Sequence, residues 1–129
     1  MPVQDEVYLG NPLLKKANVQ QEFTKDQILE FMACKADPVY FAKNYVQIVS
    51  LDEGLVPFKP YDFQETLIKR FHEHRFNICK MPRQTGKSTT SVSYLLHYAV
   101  FNDNVNIGIL ANKAATARDL LGRLQTAYE

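Results

Sequence analysis

The most telling stretch of this chain is Met81-Pro82-Arg83-Gln84-Thr85-Gly86-Lys87-Ser88-Thr89. It follows the phosphate-binding pattern G-x-x-x-x-G-K-[ST], except that Met81 stands in the place of the first glycine. An apolar run at residues 76–79 precedes the stretch, and an amphipathic run at residues 88–101 follows it. A strand leading in and a helix leading out are the surroundings that the motif requires. The sequence therefore predicts a phosphate-binding loop between a strand and a helix.

The residue types of this loop suit the chemistry of a triphosphate. Backbone N–H groups of residues 84–88 can converge on phosphate oxygens at the positive end of the following helix. Gly86 lets the backbone come close, Lys87 can reach the outer phosphates, and the Ser88 hydroxyl is placed to ligate Mg²⁺. The alternative is a chance Gly-Lys-Ser at a strand-to-helix turn. It is disfavoured because strand, loop and helix patterns all agree with the motif.

Four segments resemble segments of a known family, and they follow one another along the chain in the same order as in that family. Pro82-Arg83-Gln84-Thr85-Gly86-Lys87-Ser88 resembles the deviant Walker A motif of viral large terminases, the ATPases that drive DNA into phage capsids. Tyr61-Asp62-Phe63-Gln64-Glu65-Thr66-Leu67 looks like their adenine-binding Q motif. The stretch from Tyr8-Leu9-Gly10 to Phe41-Ala42-Lys43-Asn44-Tyr45 is similar to the pre-motor region of large terminases from T-even-type tailed phages. Gly108-Ile109-Leu110-Ala111-Asn112-Lys113 resembles the strand and turn that follow the Walker A helix, so the resemblance spans nearly the whole chain.

The resemblance implies an ATP site that also holds Mg²⁺. Gln64 would read the adenine edge, and Ser88 would ligate the metal. Lys87 and Arg83 would act in catalysis, with Arg83 reaching the γ-phosphate from within its own loop. The residues expected to contact the nucleotide are Gln64, Arg83, Gln84, Thr85, Gly86, Lys87, Ser88 and Thr89.

The family also implies partners and a location. These are double-stranded viral DNA, the portal protein and the small terminase subunit, with the parent protein forming a ring on the portal. Its place would be the host cytoplasm and, transiently, the portal vertex of the procapsid. The implied activity of the parent is ATP hydrolysis with endonuclease activity.

The expected fold class is α/β, the N-terminal part of a P-loop NTPase core with an incomplete parallel sheet. A small helical and hairpin region would precede this core. The expected divisions are an arm at residues 1–21, a pre-motor region at 22–59 and the ATPase part at 60–129. Thr24 and Gln27 form a capping-box pattern, and Asp37 precedes Pro38 at a second helix start. Residues 46–51 and 55–58 predict a hairpin, Asp62 a helix start, residues 105–110 a further strand and residues 114–128 a final helix.

Composition restricts the function classes. The chain has 129 residues, 46% of them apolar, and a formal net charge of +1, which gives no basic field of the kind that a free-standing DNA-binding domain shows. Cys34 and Cys79 are expected to be small buried hydrophobes rather than a disulfide pair. Residues 92–101 are too short an apolar segment to span a bilayer, so no membrane partner is expected.

One element of the expected enzyme does not occur in this sequence. After Ser88 the acidic residues are Asp103, Asp119 and Glu129, and none of them ends an apolar strand as a Walker B carboxylate would. The pair Asp52-Glu53 does end one, but Gly54 marks it as a turn. We therefore expect the N-terminal part of a large terminase, which binds ATP but lacks the group that positions the attacking water.

Two alternatives from other classes remain at this point. One is a fragment of a superfamily-two helicase or a related DNA-remodelling ATPase, since a Q motif before a phosphate loop occurs there as well. The other is a non-catalytic nucleotide-binding module. A nucleotide kinase fits less well, because kinases place the phosphate loop close to the N-terminus.

Overall fold

The computed structural model describes residues 7–129, apart from the side chain of Leu13. The helices of this range are α1 (Lys25–Ala36), α2 (Pro38–Tyr45), α3 (Asp62–Glu73), α4 (Lys87–Phe101) and α5 (Ala114–Tyr128). Its strands form two antiparallel pairs, β1 (Val7–Tyr8) with β2 (Asn11–Lys15) and β3 (Gln47–Ser50) with β4 (Gly54–Pro57). None of the helices in this range has the length and apolar character needed to cross a bilayer.

Local sequence signals place the starts of the first two helices. The Thr24 hydroxyl accepts the Gln27 N–H at 3.3 Å, and Gln27 Oε1 accepts the Thr24 N–H at 2.9 Å, which confirms the predicted capping box. Asp37 Oδ1 accepts the N–H groups of Val39 and Tyr40, at 2.9 and 3.2 Å. Pro38 then occupies the first position of α2, as predicted.

One smaller prediction needs correction. Asp62 does not cap α3 but is its first helical residue, and Tyr61 holds the cap position. The arm predicted at residues 1–21 contains a short hairpin, β1–β2, although its composition shows little periodicity. Gly10, with a φ of +75°, supplies the left-handed turn between these strands. The first part of the arm, residues 1–6, lies outside the described range.

The second hairpin agrees with its prediction. Strands β3 and β4 pair in register from Gln47 opposite Pro57 to Ser50 opposite Gly54. Gly54 has a φ of +75°, the left-handed conformation that the turn needs. Asp52 and Glu53 lie exposed in this turn, which confirms that they are turn residues.

The strands predicted on either side of α4 are not formed. Residues 76–79 and 105–110 make no backbone hydrogen bond to other backbone groups of the described range. Accordingly, the described residues contain no parallel sheet, and the prediction of one is wrong for this range. An apolar run favours an extended backbone, but a strand exists only where a neighbouring strand accepts and donates its hydrogen bonds.

The core is built by helix packing in place of that sheet. Its buried cluster comprises Cys34, Val39, Phe41, Ala42, Val46, Phe58, Ile68 and Leu96. The apolar face predicted for α4 is buried only in part, because Val92 and Leu96 are covered while Ala99 and Val100 are exposed. Helices α2, α3 and α5 contact α4 instead of a sheet. They cover a side of α4 that includes polar residues.

Candidate functional site

The loop before α4 contains left-handed residues of the kind from which anion-binding nests are built. Gln84 and Gly86 both have left-handed conformations, with φ of 59° and 72°. Left-handed residues next to right-handed ones turn neighbouring N–H groups toward one side, which produces a concave nest for an anion. Gln84 is not a glycine, so its conformation carries backbone strain of the kind found at ligand sites. This shape agrees with the phosphate-binding reading of residues 81–89.

Met81 stands where the motif usually has glycine, and the backbone explains why it fits. Positive φ values occur in this loop at Gln84 and Gly86, and Met81 is not among the residues of the described range that have one. A side chain at position 81 therefore meets no conformational penalty. The Met81 carbonyl accepts a hydrogen bond from Lys87 Nζ at 3.2 Å. The ammonium thus folds back across the loop, toward an oxygen that a phosphate oxygen can replace.

The Gly86 carbonyl is the most heavily bonded group of the loop. It accepts hydrogen bonds from Gln64 Nε2 at 3.2 Å, from Thr90 Oγ1 at 2.8 Å and from the Thr90 N–H at 3.0 Å. A Cβ atom added at Gly86 would lie 2.5 Å from Gln64 Nε2. The Thr85 hydroxyl donates to the Pro82 carbonyl at 3.0 Å and closes the turn. The loop is held by its own side chains and by α3.

Three predicted contact residues of the loop and of the start of α4 have different surroundings. The Ser88 hydroxyl is half-buried and makes no hydrogen bond within the described range, so its oxygen is available to a cation. The Arg83 side chain is exposed and forms no ion pair with any described residue. Thr89 lies in the first turn of α4 and lines a groove of about 660 Å³ between β3, α4 and α5. Ser88 and Arg83 thus both keep their polar groups free of contacts within the described range.

Gln64 is placed differently from the prediction that it reads an adenine edge. It is 3% exposed, and its Oε1 accepts the Tyr61 N–H at 2.9 Å while its Nε2 donates to Gly86. Both ends of the amide are therefore occupied by the protein. Its contact with the loop agrees with its being part of the site, whereas base reading stays a prediction.

Two participants escaped sequence reasoning. Thr90 is fully buried and bonds the Gly86 carbonyl one turn into α4, a spacing that could have been noticed since a threonine hydroxyl often bonds the carbonyl four residues before it. The Met81 carbonyl has no signal in the sequence, because any residue supplies a carbonyl.

No model of a known protein family matches this chain. The resemblance to large terminases therefore rests on the order and spacing of the motifs, and the phosphate-binding reading on those motifs together with the loop geometry.

Proposed function

We propose that this chain binds ATP with Mg²⁺ at residues 81–89, as the ATP-binding part of a viral large terminase that packages double-stranded DNA. The observation that carries the nucleotide site is the nest formed by left-handed Gln84 and Gly86, with the Lys87 ammonium folded across it onto the Met81 carbonyl. An anion entering the nest meets inward N–H groups, a helix N-terminus and an ammonium group together.

The loop residues hold the triphosphate through different chemical groups. The backbone N–H groups of residues 84–88 bind its oxygens, and Lys87 exchanges the Met81 carbonyl for an outer phosphate oxygen. The free hydroxyl of Ser88 fits Mg²⁺, which takes few protein ligands and keeps phosphate and water oxygens. Bound Mg²⁺ neutralises phosphate charge. Exposed Arg83 is near enough in sequence to reach the γ-phosphate and stabilise transition-state charge in cis.

The partners belong to the same proposal. They are double-stranded viral DNA, the portal protein and the small terminase subunit, met in the host cytoplasm and at the portal vertex. With a net charge of +1, DNA contact must be local. Candidate basic groups for such a contact are Lys113, just before α5, and Arg118 and Arg123 within it.

A second candidate is a nucleotide-binding module without turnover. The observation that favours it concerns the acidic side chains. None of the ion pairs of the described range involves the loop. Asp119, one of the few acidic residues that follow the loop in the sequence, is paired with Arg123 at 3.2 Å. Hydrolysis needs a group that orients the attacking water. ATP binding without phosphate release would favour this candidate over an active ATPase.

Lys87→Ala tests the nucleotide site. The variant is expected to lose about 1.5 to 3 kcal/mol of ATP binding free energy, because a charged hydrogen bond to phosphate disappears. Isothermal calorimetry with MgATP measures the difference. Lys80→Ala is the matched control, because it removes the same charge from an exposed side chain directly before the loop. Equal affinities for Lys87→Ala and the unmodified chain would refute the site.

A further inference from the structure

We infer that Gln64 is a positioning residue for the phosphate loop, and that it tunes affinity for any triphosphate whatever base is attached. The inference rests on the proposed function, because it concerns the same loop. It assigns to Gln64 a role other than reading adenine.

Both ends of the Gln64 amide are hydrogen-bonded to backbone groups. Its Oε1 accepts the Tyr61 N–H at 2.9 Å, at the start of α3, and its Nε2 donates to the Gly86 carbonyl at 3.2 Å. The side chain is 3% exposed. Gln64 therefore links the start of α3 to the last residue before α4, across a part-buried contact.

The position of Gly86 makes this link matter for anion binding. Its carbonyl and the Lys87 N–H belong to one planar trans peptide and so point in opposite directions. With the carbonyl held toward α4 by Gln64 and Thr90, the Lys87 N–H is held toward the open end of the helix, where an anion binds. Loss of the Gln64 donor removes one of the three hydrogen bonds that orient this peptide, at the residue whose left-handed φ shapes the nest.

The close approach at Gly86 adds a second argument. The Gln64 amide occupies the space that a Cβ at position 86 would fill, only 2.5 Å from it. A glycine is thus needed here for the neighbouring glutamine as well as for φ. The amide also has little freedom to turn toward a base, because both its ends would have to break part-buried hydrogen bonds to the backbone.

The test compares three ligands on a variant that keeps the helix cap. Gln64→Glu retains an oxygen for the Tyr61 N–H but places a second oxygen, which cannot donate, against the Gly86 carbonyl. Calorimetry would be run with ATP, GTP and inorganic tripolyphosphate, each with Mg²⁺. We expect affinity for all three to fall by about tenfold or more, in equal proportion, because the lost contact acts on the loop.

The matched control is Gln27→Glu. Gln27 holds the same position in the α1 capping box, where its Oε1 accepts the Thr24 N–H at 2.9 Å, and its amide makes no contact with the loop. The same chemical change there is expected to leave all three affinities unaltered. Thermal unfolding verifies that each variant is folded at the assay temperature. If Gln64→Glu is not, Gln64→Met, which fills a similar volume without donor or acceptor, replaces it.

The outcomes separate this inference from the proposed function. A loss confined to ATP, with tripolyphosphate affinity intact, would overturn the inference in favour of adenine reading. Unchanged affinities for all three ligands would overturn it in favour of a purely structural cap. In both cases binding by the unmodified chain would leave the proposed function standing. If the unmodified chain binds no triphosphate at all, the proposed function fails, and the inference with it.

Discussion

At the scale of single residues, Gly86 meets two separate demands. Its φ of +72° is a conformation that costs other L-residues free energy, and its missing side chain leaves room for the Gln64 amide. The two demands can be separated within this chain. Gly54 has a φ of +75° but open space around it, whereas Gly122 lies inside α5 with open space and no positive φ.

A glycine-to-alanine series is expected to resolve them. Gly54→Ala should lower the free energy of unfolding by about 1 to 2 kcal/mol through backbone strain alone. Gly86→Ala should lower it by more, because the new methyl group also displaces Gln64. Gly122→Ala should raise it by about 0.5 to 1 kcal/mol, since alanine is the better helix former. Urea titration measures all three, and a Gly86→Ala loss no larger than that of Gly54→Ala would contradict the close approach.

Ser93 presents a different single-residue question. It is 1% exposed, and its hydroxyl oxygen has no hydrogen-bond partner among the described residues. A buried polar group without a partner is destabilising, so Ser93→Ala is expected to raise the free energy of unfolding by about 1 kcal/mol. Ser91→Ala, on a half-buried turn of the same helix, is the control and should show a smaller change. A loss of stability in Ser93→Ala would indicate an ordered water on the hydroxyl.

At the scale of elements, α4 joins the loop to the helical core through a polar side. His97 lies one helical turn after Ser93 and is 3% exposed. Its Nε2 donates to the Cys34 carbonyl of α1 at 2.8 Å. Burial lowers the pKa of His97, and nearby His72 lowers it further, although the Cys34 carbonyl and Asp37 act in the opposite direction. Folding therefore favours the neutral imidazole of His97, whose Nε2–H links α4 to α1.

This linkage predicts acid sensitivity. Because the pKa of His97 is lower in the folded than in the unfolded chain, the unfolded state binds more protons below the ordinary histidine pKa of about 6.5. Stability should then be fully present above about pH 6.5 and decline as the pH falls toward the folded value. Thermal unfolding at about pH 8 and about pH 5 measures it.

The variant His97→Gln keeps a donor for the Cys34 carbonyl but does not titrate. Its melting temperature should depend less on pH over this interval than that of the unmodified chain. His74→Gln, at an exposed position, is the control and should keep the full pH dependence. Identical pH profiles for His97→Gln and the unmodified chain would show that other groups cause the effect.

At the scale of the whole molecule, the segments flanking α4 leave backbone groups unpaired. Residues 76–79 and 105–110 have no strand partners in the described range, and Phe76 and Ile78 are 82% and 100% exposed. Unpaired extended backbone beside exposed apolar side chains is a template for association. The two segments do not pair with each other, so their backbone N–H and C=O groups do not satisfy one another's hydrogen bonds.

We therefore expect the isolated chain to self-associate as concentration rises, or to be only marginally stable. Light scattering and thermal unfolding measure these properties. Ile78→Lys should reduce association by placing a charge on the exposed segment. Leu51→Lys is the matched control, because Leu51 is equally exposed but lies in the β3–β4 turn. A monodisperse monomer that melts cooperatively at high temperature would contradict the expectation.

Some features follow from short stretches of sequence. The Thr24 and Asp37 caps, the Gly54 turn and the Gly86-Lys87-Ser88 start of α4 were all predictable, because each depends on residues within a few positions of one another. The phosphate loop belongs to this group. Its conformation is local, since it depends on the backbone of one short segment.

Other features depend on contacts between distant parts of the chain. The closure of Gln64 on Gly86 joins residues 22 positions apart, and the His97 contact with Cys34 joins residues 63 positions apart. Residues 76–79 have the composition of a strand, yet a strand needs a partner that no local pattern supplies. The buried side of α4 likewise depends on which elements pack against it. Local propensity was sufficient for caps, turns and the loop, whereas pairing, burial and the bonding of Gln64 required the packed chain, because the other half of each interaction lies elsewhere in the sequence.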